Sequence, residues 1–199
     1  MKSFLSVIIV CLLSLSLAAQ NQADTYIKEA QTFLANKQYK DAQLSLQDAV
    51  NQINLLIAEQ VVAAMPDEIN GLKAETGNQS STTGMFGGGI QISKSYNNTT
   101  DEGNDADVNI IANSPMLTAM SMYISNPTML GPDYKSVRIG TQRAILKSEM
   151  DGDNRSTEIQ IPLSTTLITI EMKGFASEPA ELDFVNKLGI DKVKVALGE

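Results

Sequence analysis

Between Thr157 and Lys173 two alternating runs flank a short Ser-Thr-Thr connection, and this stretch constrains the fold more than any other. In the first run Ile159, Ile161 and Leu163 alternate with polar residues, and in the second Ile168, Ile170 and Met172 do the same. Successive side chains of a strand point to opposite faces, so a period of two describes strands with one buried face. The stretch predicts a β-hairpin whose apolar face the rest of the chain must cover.

The chain opens with Met1-Lys2 and an apolar run from Val7 to Leu13, then Ser16-Leu17-Ala18-Ala19-Gln20, with Leu17 and Ala19 at the −3 and −1 positions of a cleavage site. That is the pattern of a secretory signal peptide over residues 1–19. The run is shorter than the about 20 apolar residues of a bilayer span, and no later segment comes close, so no transmembrane segment is expected after signal removal. Cys11 follows Val10 inside the apolar run, which is the wrong place for a lipidated cysteine. The expected location is outside the cytoplasm, periplasmic or secreted, in a bacterium.

Removing the signal removes the one cysteine, and the chain holds no histidine or tryptophan. Their absence excludes intramolecular disulfides, Ser-His and Cys-His nucleophile systems, and thiolate or imidazole metal ligands. Lys2 is the only charged residue of the signal, so the mature chain is one charge more negative than the −8 of the whole. Such a balance makes nucleic acid a poor partner.

Along the chain, Ala23, Tyr26, Ile27, Ala30, Phe33 and Leu34 fall three and four apart, one stripe of an amphipathic helix. Asn36-Lys37-Gln38 reads as a turn. A longer helix follows from Lys40 to Met65, with Ala42, Leu46, Val50, Ile53, Ile57, Val61 and Ala64 on one face and Pro66 as its stop. Residues 20–66 are thus expected as a helical hairpin. Ala30 to Ala49 resembles one tetratricopeptide-type helix pair, but no second copy follows, and such repeats need about three copies to stand alone.

Thr76 to Gly84 lacks any apolar period, so residues 67–86 are expected as a flexible linker leading to a sheet domain over 87–199. Ile90 and Ile92 mark one strand, and Val108, Ile110 and Ile111 another. Ser114-Pro115 opens a helix carrying Met116, Leu117, Met120, Tyr123 and Ile124, stopped by Asn126-Pro127. Ser136 to Ile139, Gln142 to Met150 and the 157–173 hairpin supply the remaining strands. A last helix starts at Ser177-Glu178-Pro179 and closes at Gly189, and Lys192 to Leu197 reads as a final short turn or strand. The fold class is α+β: an N-terminal helical hairpin followed by an antiparallel β-sheet of about six strands covered by helices.

Four candidate sites are weaker than they look. Asp101-Glu102-Gly103-Asn104-Asp105-Ala106-Asp107 gathers four carboxylates but lacks the bidentate Glu and flanking helices of a calcium hand, so a solvated loop is expected. Gly87-Gly88-Gly89 leads into a strand and so lacks the helix N-terminus of a phosphate cradle. Met116, Met120 and Met122 read as core filler rather than copper ligands, because Met122 leaves the face the other two share. Glu158 and Glu171 are placed to face each other across the hairpin, but nothing puts them in a cleft. No catalytic residue, metal or cofactor is expected, and the chain does not read as an enzyme.

The succession of Met65-Pro66 to Leu72, Ser114-Pro115-Met116-Leu117, Arg143-Ala144-Ile145-Leu146-Lys147 and Leu188-Gly189-Ile190-Asp191-Lys192 resembles the α/β/α sandwich of the PsbP and Mog1 group. It is similar also to exported bacterial proteins that join a helical hairpin to such a domain. The likeness covers Asp24 to Leu197 as an order of elements, and Leu72 stands where the group carries tryptophan. It implies an accessory or binding role. The function expected is therefore that of a non-catalytic exported interaction module of the cell envelope, binding another envelope protein or itself through Tyr26, Phe33 and Tyr39. The alternative is a carrier of a small apolar ligand, held between the sheet and the Met-rich helix by Met116, Met120 and Tyr123.

Overall fold

The computed structural model describes residues 22–75, 80–85, 89–98, 103–114, 117, 131–152 and 154–199. The chain divides into two units, Met1–Glu59 and Gln60–Glu199, and the division falls inside a helix. Residues 1–19, expected as a signal peptide, lie outside the described residues, as do Met116, Met120 and Tyr123.

The first unit holds α1 (residues 22–35) and most of α2 (Tyr39–Ala64). Among the described residues the second holds an antiparallel sheet of nine strands: β1 (Glu68–Ile69), β2 (Leu72–Ala74), β3 (Ser80–Met85), β4 (Gly89–Asn97), β5 (Asp105–Ala112), β6 (Tyr134–Ile139), β7 (Gln142–Asp151), β8 (Asn154–Pro162) and β9 (Thr166–Lys173). Their order is β1-β2-β4-β5-β9-β8-β7-β6. β3 pairs with Gly89–Ser93 of β4 beside β2, which pairs with Tyr96 and Asn97, so the sheet is eight strands wide rather than about six. Two helices follow, α3 (Glu178–Lys187) and α4 (Ile190–Leu197).

The extra width comes from the segment expected as a flexible linker. Residues 67–86 carry β1, β2 and β3, too short and too polar to show a period of two. Asn70 and Gly71 join β1 to β2 with φ of 54° and 85°, the left-handed pair of a two-residue hairpin turn. The end of the chain also differs from expectation: residues 190–197 are helical, neither turn nor strand. Gly189 at φ 82° breaks the chain between α3 and α4, Asp191 favours the positive N-terminal end of α4, and Ile190 and Val193, three apart, are buried.

The expected hairpin is β8–β9. Ile159 stands opposite Ile170 and Ile161 opposite Ile168, and all four are fully buried. β9 pairs on its other edge with β5, placing Ile110 and Val108 beside Ile168 and Ile170. Burying each such side chain contributes about 1.5–3 kcal/mol, so these rows are a substantial part of the apolar stabilisation of the sheet. α3 covers this face: Phe184 meets Tyr96 and Phe175 edge-on, with ring centroids 5.5 and 5.7 Å apart. Its fully buried Glu181 accepts from Arg155 Nε (2.7 Å), Arg155 Nη2 (3.1 Å) and the Thr157 hydroxyl (2.7 Å). At the far end of the other face, Leu117, Ile145 and Leu167 form a small cluster with Ile111 and Tyr134 packed against it.

β4 carries the least expected core residue. Ile90, Ile92, Lys94 and Tyr96 alternate onto the same buried face, and Lys94 is 1% exposed. A buried ammonium is costly unless it is fully hydrogen-bonded. Lys94 Nζ donates to the carbonyls of Met65 (2.9 Å) and Val62 (3.4 Å) and to Asp67 Oδ1 (3.2 Å), and the Tyr96 hydroxyl donates to the Pro66 carbonyl (2.8 Å). The last carbonyls of a helix have no partner within it and carry partial negative charge, so a cation is favourable there. Lys94 therefore holds the end of α2 against the sheet. Replacing it removes the cap and leaves a void: Lys94→Ala is expected to lower unfolding stability of this unit by about 2–4 kcal/mol. Urea unfolding followed by circular dichroism measures it, and a loss under about 0.5 kcal/mol, the range of ordinary surface changes, would contradict the role given to the cap.

Candidate interaction surface

The turn between α1 and α2 is made by Asn36-Lys37-Gln38, as the sequence predicts. Lys37 adopts φ 60°, its N–H donates to the Leu34 carbonyl (3.0 Å), and the Gln38 N–H donates to the Phe33 carbonyl (2.9 Å). These two bonds are the Schellman closure of a helix, formed without the usual glycine. Asp41 in the first turn of α2 then complements the positive end of its dipole.

Small residues fill the buried positions of the helix pair. Ala23 and Ala30 on α1 and Ala42, Ser45 and Ala49 on α2 are all 6% exposed or less. Small side chains let two helix backbones approach closely, with many weak dispersion contacts in place of a few large side chains. In consequence the apolar stripe that the sequence marks on α2 is largely left uncovered. Ala42 is buried, but Leu46, Val50 and Ile53 remain 46%, 46% and 42% exposed, and Ile57 is half-buried.

The three aromatics expected at this surface do not share one patch. Tyr26 and Phe33 are half-buried on α1, two turns apart, while Tyr39 stands 67% exposed at the start of α2. Phe33 lines an open depression of about 280 Å³ with Thr25, Lys28, Glu29 and Thr32, all from the same helix. The sequence puts Leu46, Val50 and Ile53 on one face of α2 without saying whether that face is covered. The signal that it is not is the run Ala42, Ser45, Ala49, a second and competing stripe of small residues.

The acidic positions fall on the other unit. Glu158 and Glu171 are paired across β8 and β9, as expected, and Asp107 pairs with Glu171 on the next strand. The row is open: Glu171 is exposed, Glu158 and Asp107 are half-buried, and Asp107 accepts from the Ser95 hydroxyl at 2.6 Å. Among the described residues no three acidic side chains converge well enough to hold a metal ion. Asp105 and Asp107 belong to β5, and Asp101 and Glu102 lie outside the described residues. Burial raises the Asp105 pKa, Lys173 opposes that and Asp107 adds to it. Burial, with a smaller contribution from Asp67, likewise holds the Tyr96 phenol well above its ordinary range. No described helix is long and apolar enough to cross a membrane.

The β8–β9 turn makes a cradle for a carboxylate, and Glu199 fills it. Its side chain accepts from the backbone N–H groups of Ser164 (2.9 Å) and Thr165 (3.1 Å) and from the hydroxyls of Thr165 (2.9 Å) and Thr166 (2.6 Å). Burial pushes the Glu199 carboxyl upward, but these four hydrogen bonds outweigh it and the net pKa is lowered. A lowered folded-state pKa gives stability that is complete above the unfolded value and lost as pH falls through the folded one. Thus Tm should differ between the native chain and Glu199→Gln at neutral pH, and the gap should close below the ordinary glutamate range. A gap that stayed constant through that range would show that the clasp does not depend on ionisation.

Compared with known proteins, the chain matches no family model, no curated protein and no solved structure, which leaves the likeness to the PsbP and Mog1 group as a reading of the sequence.

Proposed function

We propose that the protein is a non-catalytic, exported module of the bacterial envelope that docks onto another polypeptide through its helical hairpin. The observation that carries this reading is the exposed row Leu46, Val50 and Ile53 on α2, with Tyr39 at its head. Single exposed apolar residues are common, but a contiguous row on one helix face is the pattern of helix docking. The likeness to PsbP and Mog1 domains, whose members serve mostly as accessory or binding proteins, agrees with it. Export follows from the signal pattern of residues 1–19.

A second reading, carriage of a small apolar ligand, draws on the cluster in which Leu117 packs with Ile145 and Leu167. A carrier would raise its Tm on adding a long-chain fatty acid, whereas a docking module would not.

The docking reading is tested by changing Leu46, Val50 and Ile53 together to serine. All three are close to half exposed, so the fold should survive with a loss of no more than about 1–2 kcal/mol. A photoreactive group at Gln47 should give a discrete cross-linked adduct in the native host, and the triple variant should lose it. The same adduct at the same yield from the triple variant would rule the hairpin face out.

A further inference from the structure

We propose that the polypeptide docked on α2 is a second copy of this chain, laid antiparallel along the helix about a twofold axis between Asn51 and Gln52. This rests on the docking reading above and names its partner. Tyr39, Gln43, Leu46, Val50, Ile53, Ile57, Gln60 and Ala64 follow one another at spacings of four and three through the whole helix. A strict alternation of four and three is the seam of a two-stranded coiled coil, in which these positions pack into the facing helix. None of them is among the fully buried positions of α2, although exposed residues such as Leu44 and Asp48 lie elsewhere round the helix as well. Tyr39, Gln43, Leu46, Val50, Ile53 and Gln60 are exposed, and Ile57 and Ala64 are half-buried.

The seam is complementary to itself in one orientation. Antiparallel about that axis, Val50 faces Ile53, Leu46 faces Ile57, Gln43 faces Gln60 and Tyr39 faces Ala64, each pair occurring twice. The two polar layers meet each other, so every glutamine amide finds another amide and none is set against an apolar side chain. The largest side chain of the seam meets the smallest. A parallel pairing would set Tyr39 against Tyr39 and Ala64 against Ala64, crowding one end and leaving the other empty, and would align rather than oppose the helix dipoles.

Charge points the same way. The charged residues of α2 are Lys40, Asp41, Asp48 and Glu59, and none occupies the seam. At about 100° per residue, Asp48 and Glu59 lie roughly half a turn from it. A chain with net charge −8 repels its own copies, and this helix face carries none of that charge.

Sedimentation equilibrium on the full-length protein, with Val50→Lys, Ile53→Glu and the combined variant, tests the proposal. The native chain should sediment at twice its monomer mass. Either single variant should weaken association by on the order of a hundredfold or more, because each dimer would bury two unpaired charges. Combining them should restore the dimer, since each introduced lysine then faces an introduced glutamate of the other copy, whereas a parallel pair would set like against like. Circular dichroism on each variant confirms that the helix and sheet signals are retained. A native chain monomeric up to submillimolar concentration, a dimer indifferent to Val50→Lys, or a combined variant as dissociated as the single ones would each overturn the antiparallel homodimer. A monomer whose Gln47 adduct to a different polypeptide is abolished by Val50→Lys would overturn self-pairing and leave the docking reading standing. A monomer with no such adduct would remove both.

Discussion

Lys94 is a lysine pointing into the core, and the second unit is arranged around satisfying it. Strand alternation leaves it no choice, because Ile90, Ile92 and Tyr96 on the same face are needed inside. Its ammonium needs concentrated negative partial charge, and the C-terminal carbonyls of a helix provide that. The end of α2 is therefore held at β4 by the Met65 and Val62 carbonyls, with the Tyr96 hydroxyl on the next carbonyl along. Apolar burial supplies the stabilisation and Pro66 stops the helix, while this cation holds the helix end against the sheet.

The same division appears on the other side of the buried face. Arg155 and Thr157 fix Glu181 at the start of α3, and Phe184, one turn later, reaches Tyr96. Met172 and Ala106 lie between Thr157 and Tyr96 in the cross-strand row, so the two polar anchors share one end of the sheet. Buried ion pairs add little net stability but are costly to break singly, which suits them to setting orientation. Close packing supports this end too. A Cβ on Gly174, which adopts φ 74°, would fall 1.7 Å from the Gly103 carbonyl oxygen, so no larger residue fits where β9 leaves the sheet.

Much of this was legible in the residues, and the failures have physical causes. The β8–β9 hairpin was readable because its isoleucines keep a period of two, and the α1–α2 hairpin because its apolar spacing is helical. β1 to β3 were not, being short and polar, although Asn70-Gly71 is a strong hairpin signal. Lys94 was hidden because a lysine in an alternating run is written as surface unless a helix end waits to receive it. On α2 two stripes compete: the small residues Ala42, Ser45 and Ala49 take buried positions, which leaves Leu46, Val50 and Ile53 exposed. Tyr26 and Phe33 fall on α1, and Tyr39, one residue before the expected start of the second helix, is the first residue of α2; residue type alone could not say that Tyr39 heads the exposed row.

On the proposed pairing α2 has two tasks along its length: a C-terminal end fixed by Lys94 and a seam of largely exposed residues that packs on another helix. Hydrogen–deuterium exchange along α2 of the intact protein, at low and high protein concentration, examines both at once. Amides of residues 60–64 should share the protection of the sheet core at either concentration, while those of residues 43–57 gain protection as concentration rises. Protection that is uniform along the helix and indifferent to concentration would contradict this division of α2.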